Sequence, residues 1–172
     1  MGGVAWTGGP GGAEGASGEC PNLRGVLTNL EILPASDSAS GQPSAVFDAS
    51  ADQLLACSYA VSHHLRWRFG GEGLDVEETL TMRGLVGVGD QLGALVEADG
   101  HGTVFLVGRA GALLHEAVST YVTMRDLESH QSVEERARLA ILGDLLGDLG
   151  ALRASLEKAG GPGGSGQPLC AA

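Results

Sequence analysis

The chain has 172 residues, 43% of them apolar and 18% charged, with a formal net charge of −11. This is enough length and hydrophobicity for one packed domain, and it excludes both wholesale disorder and two ordinary domains. The negative charge opposes a DNA or RNA duplex and an anionic lipid surface, so neither a nucleic acid nor a membrane is expected as a partner.

Residues 1–22 are Gly-rich with almost nothing to bury, and residues 161–172 are similar, so both are expected to be flexible tails flanking a single domain at 23–160. No basic, apolar leader opens the chain, and no stretch approaches the ~18 apolar residues of a membrane span. Cys20, Cys57 and Cys170 form no CxxC pair, which argues against a disulfide framework or a zinc ribbon. The expected compartment is the cytoplasm.

In chain order, Val26–Leu33 alternates as a strand does, with Thr28, Leu30 and Ile32 on one side, and Pro34 ends it. A second short strand is expected over Ala45–Phe47. Ser50 and Gln53 form a capping box that opens a helix running to about Trp67, stopped by Gly70 and Gly71. Its apolar stripe is Leu54, Val61, Leu65 and Phe69. Asp75 and Glu78 cap a further helix with Leu85, Val88, Leu92 and Leu95 on its core side. A strand over Thr103–Val107 follows, then a helix with Leu113, Leu114, Ala117, Val118 and Tyr121. Ser132 and Glu135 open the last helix. Its seam of Leu142, Leu145, Leu149, Leu152 and Leu156 has the three-four spacing of close helix packing.

The segment VEETLTMRGLVGVGDQLGAL at 76–95 aligns without gaps on VEERARLAILGDLLGDLGAL at 133–152, an offset of 133 − 76 = 57. Upstream, Ser44–Phe47 matches Gly102–Phe105, and Leu55 matches Leu113, one residue out of step with that offset. These matches predict an internal duplication, with repeat one at 44–100 and repeat two at 102–160. The expected fold is α+β and mostly α: two duplicated β-α-α units form a four-helix bundle with a small two- or three-stranded sheet. The alternative is an all-α four-helix bundle.

Little in the sequence speaks of chemistry. Gly87-Val88-Gly89-Asp90-Gln91-Leu92-Gly93 looks like a dinucleotide loop, but it sits where a helix interior is expected, with no strand ahead of it. Its glycines suit close helix approach, and no cofactor is expected. None of the five histidines has Glu at di-iron spacing. Cys57, His63 and His64 share one helix and are the candidate metal, ligand or proton-transfer site. Asp144 and Asp148, one turn apart, are expected on a solvated face, and Glu134 with Arg138 as a surface ion pair. Arg66, Trp67, Arg68 and Phe69 concentrate residue types enriched at binding hot spots and are the candidate partner-binding residues. The opposing possibility has Trp67 closing the end of the bundle while the arginines favour the helix's negative terminus.

No catalytic, cofactor or metal residue is assigned. The expected function is a non-enzymatic cytoplasmic interaction module, a regulator or adaptor, with a protein partner or a second copy of itself. One alternative is a small-ligand or metal-dependent enzyme with its site between the repeats near Cys57, His63 and His64. Another is an acidic, immunity- or antitoxin-like protein that neutralises a basic partner.

Overall fold

In the computed structural model, which describes residues 27–160 apart from 39, 72, 99 and 100, three strands and four helices run in the order β-β-α-α-β-α-α. The chain is therefore α+β and mostly helical, and the sheet overturns the all-α alternative. The two expected tails, with Cys20 and Cys170, and Val26 at the start of the first expected strand lie outside the described residues.

Strands β1 (Thr28–Leu33), β2 (Ser44–Ala49) and β3 (Gly102–Val107) form one antiparallel sheet in the order β1-β2-β3. Period-two alternation sends Ala45, Phe47 and Ala49 of β2, with Val104 and Leu106 of β3, into the core. Phe47 stands opposite Val104 and Ala45 opposite Leu106, while Val46 and Phe105 pair on the other face. The expected match of Phe47 with Phe105 does not hold, because Phe47 is buried and Phe105 is 50% exposed. A one-residue shift along a strand exchanges its faces. Leu55 and Leu113 differ likewise: Leu55 is exposed, whereas Leu113 packs against the core. The β1–β2 register slips between Thr28 and Glu31, where Asn29 adopts φ 51°. Asn is one of the few side chains that tolerate this left-handed region, and here its Nδ2 donates to Asp48 Oδ2 at 2.6 Å.

The helices are α1 (Ala51–Phe69), α2 (Val76–Ala98), α3 (Ala110–Asp126) and α4 (Val133–Gly160). The boxes at Ser50/Gln53 and Asp75/Glu78 form both reciprocal hydrogen bonds. The third forms only half. Ser132 Oγ accepts from the Glu135 N–H, but the Glu135 carboxylate turns inward to Tyr121 and Arg138. Arg138 thus pairs with Glu135 and not, as expected, with Glu134. Helix α1 runs past Trp67 because Phe69, buried in the core, draws the last turn inward.

The leucine seam of α4 is buried throughout, and it meets Leu85, Val88 and Leu92 of α2, Leu54 and Val61 of α1, and Leu114, Val118 and Tyr121 of α3. Each such leucine contributes roughly 1.5–3 kcal/mol when removed from water. The glycine run lies inside α2, as expected, and a Cβ added at Gly89 would come within 3.2 Å of Val61 Cγ1 on α1. The carboxylate pair expected in solvent is split. Asp144 is exposed, but Asp148 is fully buried beside Leu149, and its Oδ2 accepts from the Leu27 N–H at 3.0 Å. A backbone donor from the residue just before β1 supplies one of the hydrogen bonds that this buried carboxyl group requires. No helix among the described residues is long and apolar enough to cross a membrane.

Candidate functional site

A helix turns about 100° per residue, so the run from Arg66 to Phe69 points in four directions. Phe69 points inward. Trp67 points outward and is 56% exposed, with its ring 5.8 Å from that of His64. Phe69, and not Trp67, is therefore the aromatic that closes this end of α1. The Arg68 guanidinium forms an ion pair with Glu116 of α3 and lies 5.3 Å from the centre of the Phe69 ring. Arg66 Nε donates to the Ser62 carbonyl at 3.2 Å, which holds that side chain along the helix. The result is an indole projecting between two anchored guanidinium groups.

His64 is only 2% exposed. Its Nε2 lies 3.9 Å from Glu116 Oε1, and its Nδ1 has no partner among the described residues. Burial lowers its pKa; Glu116 opposes that shift, while Arg68 and His63 add to it. The neighbouring His63 faces elsewhere, edge-on to Tyr121 with the rings 5.1 Å apart. Its pKa is also lowered, by burial first and then by Arg125 and Arg66, against the opposing Glu128 and Glu135. Cys57 is buried, which pushes its thiol up to about 12.

Cys57 lines a central cavity of about 10 Å³ together with Phe47, Leu54, Leu92, Val104 and Leu149. That volume is about the least that holds one water. Neither His63 nor His64 reaches the cavity, so the three candidate residues share a helix but no common space. Among the described residues, no three His, Cys, Asp or Glu side chains converge as metal ligands.

A second cluster has no local signature in the sequence. Tyr121 Oη donates to Glu135 Oε1 at 2.6 Å, and Arg138 bridges Glu135 and the Tyr121 hydroxyl. The Arg138 guanidinium also stacks over Tyr59, 3.8 Å from the ring centre. Arg125 forms a fork with both oxygens of Glu128, at 2.6 and 2.8 Å, and approaches Glu135 at 3.7 Å. Burial and the hydrogen bond to Glu135 raise the Tyr121 pKa. This network ties α1, α3 and α4 together. Its members come from three helices and the turn after α3; the sequence marked Tyr121 as a core residue, Glu135 as a capping residue and Arg138 as a partner of Glu134, and only the packing brings them together.

An open cleft of about 670 Å³ lies beside the start of α3, with Pro43, Arg109, Leu113, Glu116, Arg153 and Glu157 on its walls. Arg153 pairs with Glu157 at 2.7 Å, and Glu116 takes Arg68, so most of its charge is matched internally. Comparison with protein-family models, curated proteins and solved structures finds no match for this chain.

Proposed function

We propose that the chain is a non-enzymatic protein-interaction module, a regulator or adaptor, that presents Trp67 to a protein partner. The observation that carries this is the exposed indole at the end of a capped helix, between guanidinium groups already fixed by Glu116 and Ser62. A pre-ordered aromatic anchor loses little entropy on docking, and Trp and Arg are enriched where binding energy concentrates. The charge of −11 favours a basic partner, in keeping with an immunity- or antitoxin-like role. A ligand or metal site at Cys57, His63 and His64 has less support, since no cavity joins the three.

We further propose that the scaffold is a duplicated β-α-α unit whose copies run at one offset of 57, without the slippage expected near the strands. Several pairs at that spacing support it. Helices α1 and α3 end at Phe69 and Asp126, and α2 and α4 start at Val76 and Val133. The buried positions correspond as well: Cys57 with Leu114, Ala60 with Ala117, Val61 with Val118, Leu85 with Leu142, Val88 with Leu145, and Leu92 with Leu149. Phe47 corresponds to Val104, its own cross-strand partner. The four helices then form a pseudo-symmetric bundle beneath the sheet.

Native mass spectrometry of protein isolated gently from its own cells, followed by capture of the identified partner with Trp67→Ala, tests the functional proposal. Expected are a stable polypeptide complex and loss of capture in Trp67→Ala with an unchanged melting temperature. Capture that survives the substitution would sink the role given to Trp67.

A further inference from the structure

Arg68 and His64 approach the same carboxylate oxygen. Glu116 Oε1 holds the Arg68 guanidinium in an ion pair, and His64 Nε2 stands 3.9 Å from that oxygen, beyond hydrogen-bonding range. The imidazole is buried, and its Nδ1 has no partner among the described residues. Its ring lies 5.8 Å from the Trp67 indole and 6.5 Å from the Phe69 ring, over which the Arg68 guanidinium also sits. One buried ring therefore meets the indole, the aromatic that closes the helix end, and the carboxylate that fixes Arg68. Of the helices packed against α1, α3 supplies Glu116. Arg68 and His63 come from α1 itself. Among the described residues no charge of α2 or α4 bears on His64, and Arg153 of α4 reaches only as far as Glu116.

With His64 neutral, the Arg68–Glu116 pair is balanced. With His64 protonated, one carboxylate faces two cations. The imidazolium has almost no access to water and needs that carboxylate more, whereas Arg68 is 35% exposed and can turn to solvent. We propose that His64 is a proton-operated latch on the Trp67 face: protonation draws Glu116 to the imidazolium, frees Arg68, and holds the indole against the new cation. This rests on the reading of Trp67 as the contact residue, and adds that the face is presented at neutral pH and withdrawn in acid. A cation within about 6 Å of an indole is attracted to its ring. Release of Arg68 also removes one of the two fixed guanidinium groups between which Trp67 projects. Burial lowers the His64 pKa from 6.5, Glu116 opposes the shift, and Arg68 and His63 add to it, so the neutral, latched form prevails at neutral pH.

Trp67 emission reads the latch on the protein alone. Trp6→Phe leaves Trp67 as the only indole in the chain, and a protonated imidazole quenches an indole beside it. The Trp6→Phe chain is titrated from about pH 8 to 5, with far-UV circular dichroism recorded alongside. Expected is a fall in emission with a midpoint below 6.5, at constant dichroism and absent when His64→Gln is added. Removing the two flanking charges should move the midpoint in opposite senses, down in Glu116→Gln and up in Arg68→Gln. Flat emission, a transition that His64→Gln retains, or one that only follows the loss of dichroism overturns the proposal, as do midpoint shifts of the same sign in the two charge variants. Capture of the polypeptide partner should weaken below the midpoint by up to about tenfold per pH unit, the limit for one proton. Equal capture at about pH 7.5 and 5.5 would overturn the latch's hold on binding. Emission that titrates as expected while Trp67→Ala still captures the partner would sink the contact role of Trp67 and leave the protonation step standing, so the two can fail separately.

Discussion

Truncating Leu149 to Ala probes the place where the sheet and the helices share one core. The side chain is 1% exposed and borders the central cavity with Phe47 of β2, Leu54 of α1, Leu92 of α2, Val104 of β3 and Leu114 of α3. Leu→Ala in a core costs about 3–5 kcal/mol, more when the walls cannot close over the space. Here the walls belong to five other elements, each held by its own packing, and a void of about 10 Å³ already lies among them. The loss should enlarge that void rather than collapse it, which places the cost at about 4 kcal/mol. For a domain of this size, that lowers the melting temperature by roughly 10–20 °C. Urea unfolding followed at 222 nm should show a lower midpoint with an unchanged slope. Leu92→Ala, across the same cavity, should cost about as much. Leu127→Ala, at a position with 83% exposure, should stay within about 0.5 kcal/mol of wild type. A cost below about 1 kcal/mol for Leu149→Ala would refute a core shared by sheet and helices.

Acid should destabilise the protein through its histidines. His63, His64 and His115 all have pKa values lowered from 6.5, each by burial first. Below pH 6.5 the unfolded chain therefore binds more protons than the folded one, so stability is full above that value and is lost as pH falls through the folded pKa values. His64→Phe should flatten part of the slope, and a urea midpoint that stays constant from pH 7.5 to 5.5 (a range chosen around the ordinary imidazole value) would contradict this. Gly111→Val tests the contact of α3 with α4, since an added Cβ would lie 2.6 Å from Leu156 Cδ1 and 2.9 Å from Leu152 Cδ2. Overpacking of this kind should cost about 1–3 kcal/mol by calorimetry, and a neutral result would mean that α3 and α4 pack less closely there. Tyr121→Phe removes the hydroxyl that donates to Glu135, leaves the Arg138–Glu135 pair, and should cost about 1–2 kcal/mol in urea unfolding. An unchanged midpoint would show that the network adds nothing to stability.

Local chemistry made most of the elements legible. The boxes at Ser50 and Asp75 depend on residues three apart and formed as expected, and the seam from Leu142 to Leu156 encodes its own buried face by periodicity. The box at Ser132 failed in its second half because Glu135 had a stronger claim from Tyr121 and Arg138, which only the packing of α3 on α4 brings near. In the candidate site, residue types marked the stretch from Arg66 to Phe69, but rotation about the helix axis decided that Trp67 faces solvent and Phe69 the core. Cys57, His63 and His64 looked like one group along the chain, yet they turn to a core cavity, to Tyr121 and to Glu116 respectively.

The sequence by itself determined the strands and helices, three of the four helix starts and the leucine faces, because each depends on the few residues around it. The tertiary structure alone decided which Phe of the two strands is buried, why a carboxylate can sit at Asp148, and which of the described strands stand at the edges of the sheet. The first depends on cross-strand register, where one residue of shift exchanges the faces. The second depends on a backbone N–H supplied by Leu27, 121 residues away along the chain. The third depends on strand order, since whether a strand stands at an edge is a property of the assembled sheet and not of any strand within it.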